Sequence, residues 1–133
     1  MEFLSSKFKP QTGPKSTTKK VGDAAETAAL EYLWDQGLRL VVRNYRTPGR
    51  GGGEIDLIMR ASDGTLVFVE VRKRASATHG GAAASVGFVK QSRIIYAARF
   101  YLMGLAVLPP CRFDVVAVGP EGVQWLQAAF DAG

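Results

Sequence analysis

The chain has 133 residues, of which 47% are hydrophobic and 22% charged, and its formal net charge is +5. This length fits one domain, and the composition is ordinary for a globular protein. No apolar run approaches the about 20 residues of a membrane-spanning helix, and no apolar segment follows the N-terminal charges as it would in a secretory signal. The single cysteine, Cys111, excludes an internal disulfide and a multi-cysteine zinc site. We therefore expect a reducing, cytoplasmic location.

Most of the net charge lies in the first 20 residues. They contain five lysines against one glutamate, a net of +4, which leaves only about +1 for residues 21–133. The segment mixes Lys, Ser, Thr, Pro and Gly with little apolar periodicity. This pattern predicts a disordered basic tail over residues 1–20, followed by a single domain over residues 21–133. The tail would either attract phosphate loosely or act only as a solubilising leader.

The domain is predicted to open with a helix and a strand. The helix begins at Asp23, an N-cap residue type, with Glu26 at the capping-box position three residues later. Apolar residues at helical spacing follow, and Gly37 suits the C-terminal cap. Residues 38–45 are rich in β-branched and apolar side chains and predict a strand, after which residues 47–53 form a glycine-rich loop.

The rest of the chain alternates strands with one further helix. We predict strands over residues 54–60 and 66–72, a helix over about residues 86–103, a strand over residues 112–118 and a short candidate strand over residues 123–126. Asp63-Gly64 is a strong signal for a hairpin between the first two of these strands. The order is thus helix, three strands, helix, strand. It predicts an α/β fold with a mixed sheet flanked by helices, because the hairpin makes at least one antiparallel pair.

Alternation along the hairpin predicts which side chains share a face, since residues two apart on a strand point the same way. In the first strand Glu54 and Asp56 share a face, with Ile55 and Leu57 on the other. In the second strand Phe68, Glu70 and Arg72 share one face, and Val67, Val69 and Val71 form a continuous apolar face on the other side.

Asp56 and Glu70 are expected to face each other across this hairpin. Asp56 comes seven residues before Asp63, and Glu70 six residues after Gly64, so the two reach partnered positions on strands about 4.8 Å apart. Like charges so placed repel each other unless a cation neutralises them. Mg²⁺ or Mn²⁺ would do so, since such an ion takes one or two carboxylates with waters and phosphate oxygens. Arg72 would then lie beside the ion, where a phosphodiester develops charge during hydrolysis.

The motifs of this hairpin resemble a known metal-binding core. Gly53-Glu54-Ile55-Asp56-Leu57-Ile58 and Val67-Phe68-Val69-Glu70-Val71-Arg72 are similar to the core of the PD-(D/E)XK nuclease superfamily, which has the restriction-endonuclease-like fold. Over residues 22–126 the chain more closely resembles the YraN family of small nuclease-like proteins. That resemblance also includes residues 22–28, Gly80-Gly81-Ala82, Lys90-Gln91 and Arg112-Phe113-Asp114-Val115.

The resemblance implies a role for each matching position. Asp56 and Glu70 would bind the metal, with the backbone carbonyl of Val71 as a further ligand. Glu26 matches the acidic residue that archaeal Holliday-junction resolvases place near the metal, and Arg72 stands where the superfamily has a lysine. Lysine can lose a proton and activate water, whereas arginine stays charged and can only stabilise charge. The implied catalytic set is Glu26, Asp56, Glu70 and Arg72.

Four further basic residues are candidates for contact with nucleic acid. They are Arg50 in the glycine-rich loop, Lys73 and Arg74 after Arg72, and Lys90 on the second helix. A run of charges is also typical of a solvated face, so that interpretation stays open for Lys73 and Arg74. The loop lacks the Gly-Lys-Ser/Thr ending of a P-loop and precedes a strand instead of a helix, so we interpret it as a loop that contacts substrate.

These features together predict a divalent-metal-dependent endonuclease or resolvase-like protein that acts on nucleic acid, with DNA favoured over RNA and branched DNA included. Two alternatives stay open. One is a non-catalytic nucleic-acid-binding module with a vestigial metal site, and the other is a protein-interaction adaptor. Cutting two strands would suit a homodimer with twofold symmetry, although the sequence does not specify one.

Overall fold

The computed structural model describes residues 17–74 and 86–132, with side chains from residue 23 onward, and shows two helices flanking a five-stranded sheet. The elements are α1 (Thr17–Asp35), β1 (Arg39–Arg46), β2 (Glu54–Arg60), β3 (Leu66–Lys73), α2 (Phe88–Leu102), β4 (Cys111–Gly119) and β5 (Gly122–Phe130). The strands lie in the order β1-β2-β3-β4-β5, with β3 and β4 parallel and the other neighbours antiparallel. This confirms the predicted α/β fold with a mixed sheet and is consistent with the restriction-endonuclease-like fold.

Helix α1 begins earlier than the sequence predicts. It starts at Thr17, so Asp23 lies inside the helix and the predicted N-cap there is wrong. Gly22 disfavours helix by about 1 kcal/mol relative to alanine, so the sequence pattern does not indicate that the helix begins before it. The C-terminal end is as predicted, because Gly37 has a φ of +101° and its N–H donates to the Trp34 carbonyl at 2.9 Å. Residues 1–16 and 80–82, on which other predictions fall, lie outside the described residues.

Strand β5 is longer than the predicted residues 123–126. Its pairing with β4 shifts register between Phe113 and Val115, and Ala128 has a φ of +50°, so a local irregularity interrupts the alternation of side chains. The buried Asp114 carboxylate holds this irregular segment, since it accepts hydrogen bonds from the Ala128 N–H and the Trp125 indole, each at 2.9 Å. Asp114 therefore has a structural role, and the interrupted alternation explains why the sequence pattern showed only half of the strand.

The two helices pack on opposite faces of the sheet. Val67 and Val69 pack with Leu30 and Leu33 of α1, whereas Phe68 packs in a separate cluster with α2. Because successive residues of a strand point to opposite faces, β3 serves both helices at once. The predicted apolar face of Val67, Val69 and Val71 is confirmed as the face toward α1. Neither helix in the described ranges has the length and apolar character needed to cross a membrane.

Gly53 allows α2 to pack directly on the start of β2. A Cβ at this position would overlap the carbonyl oxygen of Arg93 and would lie 3.0 Å from the Ala97 Cβ. The overlapped atom belongs to the backbone of the helix and cannot rotate away. We therefore expect Gly53→Ala to lower the free energy of unfolding by about 1–3 kcal/mol in urea denaturation, the usual cost of overpacking. Gly104→Ala is the control, since its Cβ would have its nearest contact at 3.6 Å. Equal stability of the two variants would contradict this close packing.

Candidate active site

The register of β2 against β3 brings Asp56 opposite Glu70. The last backbone pair of the two strands is Leu57 with Val69, and one further step of the same register joins Asp56 to Glu70. At that step the Asp56 side chain replaces a backbone acceptor, because its Oδ2 accepts a hydrogen bond from the Val71 N–H at 2.8 Å. Both carboxylates are buried, with 8% exposure for Asp56 and 3% for Glu70. The structure thus brings the two residues together as the hairpin spacing predicts.

The regular alternation of β2 breaks at Asp56. Ile55 packs with Ile58 on the face toward α2, whereas Leu57 packs on the face toward α1. The expectation that Ile55 and Leu57 share a face is therefore wrong. The break coincides with the Asp56 carboxylate, which accepts the Val71 N–H instead of following the pleat of the strand.

Helix α1 contributes Glu26 to the same cluster. Asp56 interacts with Glu26 both by charge and by a side-chain hydrogen bond. The Glu26 Oε1 atom is buried without a hydrogen-bond partner, and the nearest cation, Arg43 Nε, lies 3.7 Å from it. Because Asp23 lies inside the helix, the capping-box interpretation of Glu26 is wrong. The packing of α1 on the sheet places Glu26 beside Asp56.

Arg43 of β1 is a residue near the site that the sequence did not single out. Its guanidinium donates to the Asp23 carbonyl at 3.2 Å and to the Thr27 hydroxyl at 3.0 Å, and it also pairs with Glu26. It therefore fastens α1 to β1 and adds a positive charge beside the carboxylates. No sequence signal identifies it, because an arginine among apolar strand residues is equally typical of an exposed face.

Two cations from different elements approach Glu70. Arg72 Nη1, two residues further along β3, lies 3.4 Å from Glu70 Oε2. Lys90 Nζ, in the first turn of α2, lies 3.7 Å from the same oxygen. Both cationic side chains are more than a third exposed, at 36% and 38%. Each cation therefore remains accessible to a ligand while it contacts the buried carboxylate.

The other three predicted nucleic-acid-binding residues do not join this cluster. Arg50 is exposed in the loop before β2, and Lys73 is exposed at the end of β3. Arg74 donates to Gln124 Oε1 on β5 at 3.0 Å. Within the described parts of the chain, no ion pair links any of the three to Glu70. Of the four predicted residues, the structure brings only Lys90 to the carboxylates.

Burial raises the pKa of all three carboxyl groups. Removal from water is the largest cause in each case, and it raises the pKa of Glu26 to about 7, that of Glu70 to about 8 and that of Asp56 above its usual value. The Asp56 charge raises the pKa of both glutamates further, and the nearby cations oppose this only in part. Hydrogen bonds from Val71 and Glu70 favour the ionised form of Asp56. Without a metal ion, burial therefore favours the protonated form of Glu70, while Asp56 is the carboxylate whose ionised form is better supported by hydrogen bonds.

The cluster offers hard oxygen donors whose charge the nearby cations offset only in part. Asp56 and Glu70 match the one or two carboxylates by which Mg²⁺ is usually bound, and the Glu26 Oε1 atom is a further acceptor without a partner. Among residues 17–74 and 86–132, no three His, Cys, Asp or Glu side chains are grouped closely enough to bind one metal ion. The residues therefore fit an ion that takes two carboxylates and completes its shell with water or phosphate oxygens.

The raised pKa values predict that the metal-free protein loses stability as the pH rises. A carboxyl group that binds its proton more tightly when folded stabilises the fold fully below its unfolded pKa of 4.5. That contribution disappears as the pH rises through the folded value of about 7 for Glu26 or about 8 for Glu70. We expect the free energy of unfolding in EDTA, measured by urea denaturation, to fall between about pH 5 and about pH 8.5.

The variant Glu70→Gln should flatten this decline, because it removes the group with the higher folded pKa. Glu31→Gln, at an exposed position of α1, is the matched control and should keep the decline of the wild type. If the wild type and Glu70→Gln lose stability equally over this pH range, Glu70 does not titrate as its burial requires.

Comparison with known proteins finds one family. The model described as "Uncharacterised protein family UPF0102" matches residues 25–118, a range that contains the whole candidate site. The chain is 66% identical over 125 residues to a UPF0102 protein of Albidiferax ferrireducens, covering 94% of this chain and 95% of that protein. It is 65% identical over 119 residues to a UPF0102 protein of Paracidovorax citrulli, covering 90% and 88% of the two chains.

Proposed function

The chain belongs to the uncharacterised protein family UPF0102, the YraN family that its motifs resemble, and we propose that it is a divalent-metal-dependent nuclease acting on DNA. One observation carries the proposal. The buried carboxylates Asp56 and Glu70 meet on neighbouring strands, and two cations from different elements approach the second of them. Branched DNA is among the substrates that the proposal includes.

Asp56 and Glu70 would bind Mg²⁺ or Mn²⁺, with water and phosphate oxygens as the other ligands. Burial and, after it, the charge of Asp56 raise the pKa of Glu70; a divalent ion would oppose both, so both carboxylates would be ionised when it binds. When bound, such an ion polarises a phosphate oxygen and favours deprotonation of water. Glu26, through its buried Oε1 atom, which has no hydrogen-bond partner, would accept a hydrogen bond from a water molecule in the site and hold it in place.

Arg72 and Lys90 would stabilise the negative charge that develops on the scissile phosphate. An arginine such as Arg72 can donate hydrogen bonds to phosphate but, unlike lysine, does not serve as a base. Lys90 reaches the same Glu70 oxygen from α2, so the site does contain a lysine, although on a helix and not on β3. Cations positioned in this way stabilise charge that is larger in the transition state than in the substrate.

A nucleic-acid-binding module without catalysis is the alternative, and the arginine at position 72 favours it. The buried carboxylates favour catalysis. Burying Asp56 and Glu70 side by side disfavours folding, and in the absence of a cation their charges would repel a phosphate. A module that only bound nucleic acid would gain affinity from neutral residues at these two positions.

We expect Mg²⁺ or Mn²⁺ to raise the melting temperature by mass action, because the ion would bind the folded form. Asp56→Asn should abolish this shift with little loss of metal-free stability, since it removes a repelling charge. Asp63→Asn in the exposed hairpin turn is the control and should keep the shift. The measurement is thermal unfolding with and without the ion, in the presence of a short DNA oligonucleotide that can complete the metal's coordination shell. Absence of any response in the wild type under these conditions would contradict the metal site.

Cleavage should depend on both cations. In single-turnover assays with Mn²⁺, we expect Arg72→Ala and Lys90→Ala each to slow cleavage by about 100-fold or more, as loss of one transition-state donor does. DNA affinity should fall only modestly, because one phosphate contact is a small part of the whole interaction. Arg72→Lys should keep or increase the rate. The assay compares single-stranded, duplex and branched DNA.

Asp56→Asn is the control for contaminating nucleases in this assay. If it cleaves as fast as the wild type, the nuclease proposal is wrong. If the wild type and Arg72→Lys are both inactive on all three substrates while Arg72→Ala weakens binding, the non-catalytic alternative is correct.

A further inference from the structure

The region around α2 has a one-sided charge distribution. Between Glu70 and Asp114 the sequence contains no Asp or Glu, and it contains seven Lys or Arg residues. Three of these seven, Lys90, Arg93 and Arg99, lie on α2. Lys90 pairs with Glu70, but no acidic side chain within this stretch balances Arg93 and Arg99, so an anionic partner is favoured along α2.

The outward face of α2 also carries large apolar side chains that are normally buried. Phe88 is 82% exposed, Val89 72%, Tyr96 52% and Phe100 38%. On the inward face of the helix, Ile94, Ala97 and Ala98 are buried against the sheet, and Tyr101 packs against the same cluster. At about 100° per residue, the exposed side chains lie on the opposite side from these three. The exposed rings therefore contribute little to the packing of α2 on the sheet.

This face begins at the candidate active site. Phe88 and Val89 immediately precede Lys90, whose Nζ lies 3.7 Å from Glu70 Oε2. One turn further on, the exposed Arg93 donates to the Gly52 carbonyl at 3.3 Å and keeps other N–H groups available for a ligand. Lys90 itself lies on the side of α2 that faces the sheet, whereas Phe88, Arg93, Tyr96 and Arg99 are exposed. The exposed face thus combines cationic and aromatic side chains and begins beside the carboxylates.

We propose that the outward face of α2 binds an unpaired strand of nucleic acid and leads it to the candidate active site. The proposal rests on the proposed function and names its substrate class: single strands and the unpaired arms of branched DNA. Phe88 and Tyr96 would stack on bases, while Lys90, Arg93 and Arg99 would contact phosphates, which is how sequence-tolerant single-strand binding works.

The spacing of the rings favours an unpaired strand over a continuous duplex. The helical rise places Phe88 and Tyr96 about 12 Å apart along the axis, and Tyr96 and Phe100 about 6 Å apart. Both spacings exceed the about 3.4 Å between stacked bases in one strand of a duplex. Bases must therefore leave their stack to meet these rings. An unpaired strand allows this, whereas in a duplex the faces of the bases are covered by their neighbours.

A second copy of the chain is the other occupant that an apolar helix face could accept. Two such faces in contact would bring Arg93 and Arg99 of both copies together, with no acidic residue on α2 to pair with them. Like charges at close range oppose such contact, whereas a phosphate backbone is attracted by them. Charge therefore favours the strand over the second copy.

The test is the affinity of the full chain for a fluorescent oligo(dT) of about 20 nucleotides and for a duplex of equal length, measured by anisotropy in EDTA so that metal-dependent cleavage plays no part. The double variant Phe88→Ala with Tyr96→Ala should bind oligo(dT) about 100-fold more weakly, about tenfold for each stacking ring lost, and should bind the duplex as the wild type does. Arg93→Ala should reduce the slope of log K against log salt by about 0.7.

Two matched variants serve as controls. Val107→Ala with Leu108→Ala removes apolar side chains that are similarly exposed, at 80% and 71%, but lie beyond the helix, and it should bind oligo(dT) normally. Phe88→Tyr with Tyr96→Phe keeps both rings and should also bind normally. An unchanged thermal unfolding midpoint in every variant would show that the fold is intact, as expected for exposed positions.

Three results would overturn the inference. The first is equal affinity of the wild type and the double alanine variant for oligo(dT). The second is equal weakening on oligo(dT) and on duplex, which would mean that the rings do not distinguish unpaired bases. The third is a dimeric wild type and a monomeric alanine variant in sedimentation with unchanged oligo(dT) affinity, which would show that the face joins two copies.

These outcomes are separable from failure of the nuclease proposal. Asp56→Asn should bind oligo(dT) in EDTA at least as tightly as the wild type, because position 56 does not lie on α2. If no metal ion supports cleavage but the double alanine variant loses oligo(dT) affinity, strand binding stands and the nuclease proposal fails. If the wild type cleaves but the double alanine variant keeps its affinity for oligo(dT), the nuclease proposal stands and strand binding by α2 is wrong.

Discussion

The hydrogen bond from the Val71 N–H to the Asp56 carboxylate determines where the hairpin ends and where the candidate active site begins. Up to the pair of Leu57 and Val69, the backbones of β2 and β3 satisfy each other. At the next step a charged side chain takes over as acceptor, and the pleat of β2 breaks. That break turns Ile55 under α2, next to the glycine that lets the helix approach. The hydrogen bond that joins Asp56 to β3 therefore also affects how α2 packs on the sheet.

The site depends on all three layers of the fold. The sheet provides the two facing carboxylates, α1 provides Glu26, and α2 provides Lys90, so no layer holds the set alone. Each carboxylate is removed from water, which disfavours its ionised form, and the nearby cations offset this only partly. A fold of this size is only marginally stable, so the free energy lost by burying these carboxylates must be offset by packing elsewhere. Here the two apolar faces of the sheet provide that packing. Proteins commonly accept such a loss of stability where they bind or react.

The sequence predicts those parts of the site that depend on local signals. The turn at Asp63-Gly64 fixes the hairpin register, and this register alone is enough to join Asp56 to Glu70. Features that depend on tertiary packing could not be predicted in the same way. The Glu26 side chain reaches Asp56 only because α1 crosses the sheet where it does, and the face of Ile55 depends on a side chain replacing a backbone acceptor. The second half of β5 was hidden for a similar reason, since the buried Asp114 holds a backbone conformation that interrupts the strand pattern.

The parallel pairing of β3 with β4 has a consequence for the order of folding. The strands β1, β2 and β3 are joined by short connections, whereas β3 meets β4 only after a crossover that contains α2. Contacts between segments close in sequence form faster than contacts across a long loop, so the meander is expected to assemble before the crossover closes. Asp56 and Glu70 then meet in the early meander without Lys90. The lysine reaches them when α2 docks, so its positive charge joins a pair of carboxyl groups that has already formed.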